Sequence, residues 1–347
     1  MSNNLIDFAS NDYLGFLKNN LILDKNHPYL VENISIKNNE IDLENYIANF
    51  HQVESAVIFK SAYDANICFF DSIPQNGDLI FYDELCLSSI RDAIQLSNAK
   101  FHKFQHNDFE DLERLIENLR PKAQNPIPIY IVTESVFSMD GDMSNLEELT
   151  QLSEKYNCNL VIDESHSVGV FGEKGQGLVQ NLQLQNKVFA RIISFDNALN
   201  SEGAAIIGPK DLKKHLDNFD PRFINNIKLS PKAVASFLVA YERLESEKQT
   251  IEQLRENIVY FNQEINLLGL KPMFVRSKSA IQSAIIPGKQ NVKSIANQFQ
   301  EKGFDVKAIL SPEVPEGQER LRFCIHSFNT KEEISKLLGL LSTFVFG

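Results

Sequence analysis

Between residues 43 and 208 short apolar runs alternate with amphipathic stretches, and this alternation restricts the fold more than any other feature of the chain. The apolar runs are AVIF (56–59), GDLIFYDE (77–84), FHKFQH (101–106), IPIYIVTES (127–135), NLVIDES (159–165), FARIISF (189–195) and GAAIIG (203–208). Each reads as a strand, and AVIF as a short buried one. Between them lie helical patterns: LENYIANFHQ (43–52), a stretch from Tyr63, SSIRDAIQLS (88–97), DFEDLERLIENL (108–119) and LEELTQLSEKY (146–156). Asn107 or Asp108 is placed to cap the fourth of these and Asn145 the fifth. Strands separated by helices cannot pair as hairpins. They pair in parallel through right-handed crossovers, with helices on both faces. The expectation is an α/β chain built on a mainly parallel sheet.

The pattern changes after Ser230. Helical spacing runs almost unbroken to Leu268, with Pro231 suited to a first turn and Gly269 to a C-terminal cap. IQSAIIPG, VKSIANQFQEKG, RLRFCIHS and TKEEISKLLGLLSTF then read as two strands and two helices of a small α+β domain. The expected division is an N-terminal segment 1–42, a large α/β domain 43–229, a linking helix 230–270 and the small domain 271–347.

Composition excludes several classes. The net charge of the 347-residue chain is −12, and its densest basic stretch, Lys210–Lys214, is flanked or interrupted by Asp211 and Asp217. A nucleic-acid partner is therefore not expected. No apolar run approaches the ~18–20 residues of a membrane span. The first residues lack the basic-then-apolar layout of a signal peptide. Cys68, Cys86, Cys158 and Cys324 are far apart and form no CxxC pair, which points to reduced thiols in a cytoplasmic protein and away from a zinc ribbon. No metal site is expected.

In open parallel sheets ligands gather beyond the carboxyl ends of the strands. Lys60–Asn66, Asp83–Ser89, Glu134–Asp142 and Asp163–Gly172 leave strands in that way, and each is polar where it does so. They predict one site at a shared edge.

These same segments carry a resemblance. FASNDYLGF (8–16), SAYDAN (61–66), YDELC (82–86), TESVFSMDGD (133–142), VIDESHSVGVFGEKGQG (161–177), SEGAAIIG (201–208), IQSAIIPG (281–288) and GFDVKAILSPEVPEGQERLRFCIHSFNT (303–330) follow one another as in the α-oxoamine synthases. Those are pyridoxal-phosphate (PLP) acyltransferases of the aspartate-aminotransferase fold, fold type I, and the chain is most similar to their biotin-synthesis branch. The resemblance implies that Asp163 faces the pyridine nitrogen of PLP, where a carboxylate keeps the ring protonated and electron-drawing. It sets His166 and Ser138 near the phenolic oxygen, and Ser61, Ala62, Tyr63 and Ser194 around the cofactor. It gives Arg322 a substrate carboxylate to grip. Taken alone, Asp163 reads as a loop cap, His166 as a loop histidine, Ser138 as a turn hydroxyl and Arg322 as a strand arginine in a surface ion pair.

The departures from the family pattern all point one way. The family motif near Thr-Phe-Gly-Lys-Ala-Leu-Gly reads Ser194, Phe195, Asp196, Asn197, Ala198, Leu199, Asn200, so Asn197 stands at the Schiff-base lysine. An amide is no nucleophile toward an aldehyde, and the proton shuttle is lost with the lysine. The ring-stacking histidine is Leu87. The phosphate-loop Ser-Gly-Tyr is Ser61, Ala62, Tyr63, and a Cβ at Ala62 crowds amides that approach phosphate. Asp196 brings the wrong charge. The cross-subunit segment reads Phe223, Ile224, Asn225, Asn226, Ile227, Lys228, Leu229, without its threonines, and VENISIKNN (31–39) replaces a glycine-rich stretch. The combined expectation is a synthase-like fold without conventional catalysis and with a weakened hold on PLP. Alternatives are a non-catalytic subunit beside an intact relative, or chemistry relocated to Lys60 or Lys228. A homodimer or a heterodimer with an intact relative, and a small-molecule ligand, are the partners implied.

Overall fold

The computed structural model describes residues 5–19, 36–120, 127–218 and 230–347. By contacts the chain divides into two units that are not contiguous in sequence. One holds the described residues of Met1–Asn19, Ser138–Met143 and Ser246–Gly347. The other holds those of Asn20–Phe137 and Ser144–Glu245. The first strand, β1 (Ile6–Asp7), belongs to the former.

The larger unit begins with α1 (Ile36–Phe50) and continues β2 (Ser55–Phe59), α2 (Ala62–Ser72), β3 (Leu79–Asp83), α3 (Ser88–Leu96), β4 (Lys100–Phe104), α4 (Phe109–Leu119), β5 (Ile129–Glu134), α5 (Leu146–Tyr156), β6 (Asn159–Asp163), α6 (Leu178–Asn181), β7 (Ala190–Ser194), β8 (Ala204–Gly208), α7 (Lys210–Asp217) and α8 (Pro231–Ser246). Seven strands form one sheet in the order β2-β8-β7-β6-β5-β3-β4. All run in one direction except β8, which is antiparallel to β2 and β7. The loop from Ser194 to Ala204 contains no helix, and without a crossover the chain can only turn back beside β7. Strands β5, β7 and β8 are buried along their whole length. Phe69, Phe70, Ile80, Ile94, Val132, Val161 and Ile206 form one core beneath them, each stabilising the fold by about 1.5–3 kcal/mol on burial. Asp108 caps α4 and Asn145 caps α5, each accepting the N–H three residues on.

The smaller unit contains α9 (Lys248–Leu267), β9 (Ile281–Ile285), α10 (Lys289–Glu301), β10 (Phe304–Asp305), β11 (Lys307–Ile309), β12 (Arg320–Cys324) and α11 (Lys331–Phe346). Strands β11, β12 and β9 make an antiparallel sheet, and β1 pairs in parallel with β10. Phe261, Phe274, Phe299 and Phe323 pack ring against ring at its core. The expected single helix from 230 is two helices, α8 and α9, because Glu247 leaves helical geometry at φ −94°, ψ 42°. Gly269 adopts φ +69° just beyond α9, the left-handed residue expected of a C-terminal cap. Strands β10 and β11 were not expected, since two and three residues are too few to show a period of two. The 138–143 stretch lies against β9. Gly141, at φ +73°, approaches so closely that a Cβ would sit 2.1 Å from the Ile281 carbonyl oxygen.

Candidate functional site

Three strands of the larger unit end on a carboxylate that is almost wholly buried: Asp83 on β3, Glu134 on β5 and Asp163 on β6. A buried carboxylate needs donors, and two of the three find them in neighbouring loops. Asp83 accepts from the N–H groups of Leu85 and Asn107 and contacts His106 Nδ1, each at 2.9 Å. Glu134 accepts from the Leu87 N–H at 2.6 Å. Asp163 is different. Its Oδ1 takes the Ser165 N–H at 2.8 Å, but its buried Oδ2 has no hydrogen-bond partner among the described residues. Burial, assisted by the charges of Glu164 and Asp196, raises its pKa to about 6. That oxygen suits a donor brought by a ligand, such as a protonated ring nitrogen. His166 is buried in the turn that follows β6.

At the end of β7 the Ser194 N–H donates to Ser165 Oγ at 3.1 Å, which joins this turn to the one after β6. Asn197 is buried and donates its side-chain amide to the Ser165 carbonyl at 2.8 Å. The position therefore presents an amide held by backbone, with no amine. Asp196 is exposed, and its carboxylate takes the Ser194 hydroxyl in a short hydrogen bond. Asn200 closes the turn at φ +43°, a conformation glycine adopts without cost and asparagine tolerates.

Ser61 is the N-cap of α2. Its Oγ accepts the Asp64 N–H at 3.1 Å and donates to Asp64 Oδ2 at 2.7 Å. Ala62 is half-buried and packs against the sheet core, and so does Leu87. Tyr63 is half exposed. Lys60 is exposed. Lys228 and the rest of 223–229 lie outside the described residues, as does most of the 31–39 stretch.

One buried ionic cluster went unread in the sequence. Arg191 on β7 pairs with Glu164, the residue after Asp163, and both are essentially inaccessible. Arg191 also donates to the Gln176 carbonyl at 2.8 Å, and one of its nitrogens lies 3.4 Å from His51 Nδ1. His51 Nε2 meets the Tyr241 hydroxyl at 3.0 Å. Burial, with Arg191 beside it, holds His51 well below its ordinary pKa, so it is neutral. The signal was present: an arginine inside ARIIS, a strand otherwise fit for the core, requires a buried acid.

In the smaller unit Arg322, on β12, is buried. It donates to the Ser138 carbonyl at 2.9 Å, to Asn11 Oδ1 at 3.1 Å and to Cys324 Sγ at 3.0 Å. The Tyr13 hydroxyl is a fourth partner, and among the described residues no acid pairs with the guanidinium, which can therefore take an anionic group. Its neighbour Arg320 is instead ion-paired with Asp140. Arg322 is thus unlike a strand arginine in a surface ion pair. At Ser138 the group that meets Arg322 is the carbonyl. Neither Asn11 nor Cys324 was singled out as a site residue in the sequence. Among the described residues no group of three or more His, Cys, Asp or Glu is placed to hold a metal ion, and no helix is long and apolar enough to cross a membrane.

The family model for aminotransferases of class I and II matches residues 3–341. An 8-amino-7-oxononanoate synthase of Emericella nidulans is 35% identical over 337 residues, which cover 93% of this chain and 79% of that protein. One from Treponema denticola is 31% identical, covering 97% and 86%. Among solved structures, 8-amino-7-oxononanoate synthase from Francisella tularensis aligns with a TM-score of 0.84 at 24% identity, over 99% of each chain. Serine palmitoyltransferase from S. paucimobilis, with a bound PLP–myriocin aldimine, aligns at 0.89 and 22% identity, over 98% of this chain and 87% of that one. At these identities the two structures establish the shared fold.

Proposed function

The chain belongs to the aminotransferase class I and II family, and from that premise we propose that it is an 8-amino-7-oxononanoate synthase-like protein that no longer performs lysine-dependent PLP chemistry. The observation that carries this reading is Asn197, whose amide is tied to the Ser165 carbonyl where the family motif has its lysine. An amide neither attacks an aldehyde nor returns a proton to a carbanion. PLP is the cofactor the family implies, and the residues fit one part of it. Asp163 Oδ2, buried and unpaired, suits the ring N–H. The anchoring groups do not fit: Asn197 offers no amine, and the hydroxyls of Ser61 and Ser194 each already donate to a carboxylate. Arg322 in this reading keeps its capacity for a carboxylate-bearing ligand.

The test is borohydride reduction after incubation with PLP, followed by peptide mapping, beside an assay for condensation of alanine with an acyl thioester. The expected result is no pyridoxyl-lysine and no product. A stoichiometric label on Lys60 or Lys228 would overturn the reading in favour of a relocated amine.

A further inference from the structure

The two serines that the resemblance sets around the cofactor are both engaged by acids of this chain, and the same feature recurs on two separate elements. At the start of α2, Ser61 and Asp64 form a closed capping pair: the hydroxyl takes the Asp64 N–H at 3.1 Å and donates to its carboxylate at 2.7 Å. A helix N-terminus attracts an anion through its free N–H groups and partial positive charge. Here Asp64 already supplies that anion from the third helical position. At the end of β7 the Ser194 hydroxyl donates to Asp196. The two serines are close in the fold, because Phe59 on β2 and Ser194 on β7 are both in register with Ala204 on β8. One strand separates Phe59 from Ser194, so those two backbones are roughly 10 Å apart, and Ser61 lies two residues beyond Phe59 at the same edge. The same edge carries Asp163 with its unpaired buried oxygen, linked to Ser194 through Ser165. Lys60, the cation next to Ser61, is exposed and screened by water. A phosphate dianion entering here finds its hydroxyl donors taken and meets two carboxylates. A neutral hydroxyl meets two acceptors.

We propose that the site takes a protonated pyridine carrying a hydroxymethyl group in place of a phosphoester, and so selects an unphosphorylated B6 vitamer over PLP. This rests on the reading of Asp163 as the ring partner given above. The ring nitrogen donates to Asp163 Oδ2, and the hydroxymethyl donates to Asp64 or Asp196.

The experiment is calorimetric titration of the full chain with pyridoxine and, separately, with PLP. Pyridoxine has no aldehyde, so random Schiff bases on surface lysines do not contribute to its signal. Pyridoxine is expected to bind at least about tenfold more tightly than PLP, since two nearby like charges oppose the phosphate. The double variant Asp64→Asn, Asp196→Asn keeps side chains of the same shape and removes both charges. It should raise PLP affinity about tenfold and weaken pyridoxine about fivefold, because a hydroxyl binds a carboxylate more strongly than an amide oxygen, so the preference is inverted. Asp163→Asn should abolish binding of both, with the folded state checked by circular dichroism. PLP binding as tightly as pyridoxine, or a double variant that leaves PLP affinity unchanged, overturns the selectivity while leaving the ring partner intact. Failure of both pyridines to bind, or indifference to Asp163→Asn, overturns the ring partner itself. A borohydride-labelled lysine overturns the non-catalytic reading and leaves the relative affinities to be judged on their own.

Discussion

At the scale of single residues, the candidate site turns on Asp163, a buried carboxylate whose Oδ2 has no partner among the described residues, and on Asn197, an amide tied to the Ser165 carbonyl. Asn197 shows the loss of an amine from its name alone. That the Ser61 and Ser194 hydroxyls are committed to Asp64 and Asp196 needed coordinates, because nothing in SAYDAN or SFDNALN states which way a hydroxyl donates. Asp163 gives a pH prediction. Its folded pKa is raised by burial from the ordinary 3.8 to about 6. The folded state thus holds the proton more tightly than the unfolded chain. The contribution to stability is full below pH 3.8 and is lost as pH rises through 6. The ligand-free protein should lose roughly 2–3 kcal/mol through this group over that range. Asp163→Asn should lack that slope in denaturant titrations at a series of pH values, and parallel curves for the two proteins would count against it. A second prediction concerns reversion. Asn197→Lys alone should not restore condensation of alanine with an acyl thioester, because Leu87, Ala62 and Asp196 remain and groups that act as a unit fail together. Turnover within about tenfold of an intact synthase would show the rest of the pocket to be serviceable.

At the scale of elements, strands and helices with a clear period were readable: every strand of the seven-stranded sheet overlaps a run expected to be a strand, and both expected caps on α4 and α5 are made. Elements defined by partners were not. The reversal of β8 follows from a short loop, the break between α8 and α9 from one non-helical residue, and β1 and β10 exist only because they pair with each other. The cluster of Glu164, Arg191, His51 and Tyr241 belongs to this level, since it ties the turn after β6 to β7, α8 and the residue that follows α1. Glu164 Oε1 also accepts the Val179 N–H and the Ser167 hydroxyl, both at 2.9 Å. Removing the acid strands a fully buried guanidinium. Glu164→Ala should cost about 3–5 kcal/mol, read as a shift in the urea midpoint. A loss below about 1 kcal/mol would mean that water reaches the guanidinium and that the cluster contributes little.

At the scale of the whole molecule the open matter is assembly, and the resemblance implies a dimer whose sites draw on both chains. The resemblance sets two segments near that interface, the cross-subunit stretch 223–231 and FGEKGQG (171–177), and the first lies largely outside the described residues. The other, FGEKGQG, is mostly buried within its own protomer, with Gly172, Gly175 and Gly177 at positive φ and Lys174 paired to Glu245 at 2.9 Å. The dimer that the resemblance implies can be probed at the carboxyl edge of the sheet. Tyr63, in the first turn of α2, and Leu85, in the turn after β3, are about half exposed at 50% and 46%. A closed two-fold dimer is the usual form of such an assembly, and one that covers this edge would bury both side chains. We therefore expect sedimentation at micromolar concentration to give twice the 39.5 kDa chain mass. Replacing Tyr63 and Leu85 together by serine should shift the protein toward the monomer while leaving its circular dichroism unchanged, because neither side chain is in the core. A heterodimer with an intact relative predicts something different: a monomer alone, and a new species on mixing with a functional synthase from the same cell. A single species at the chain mass, unmoved by that mixing, would remove both forms of dimer and with them any role for this chain as a subunit of an active enzyme.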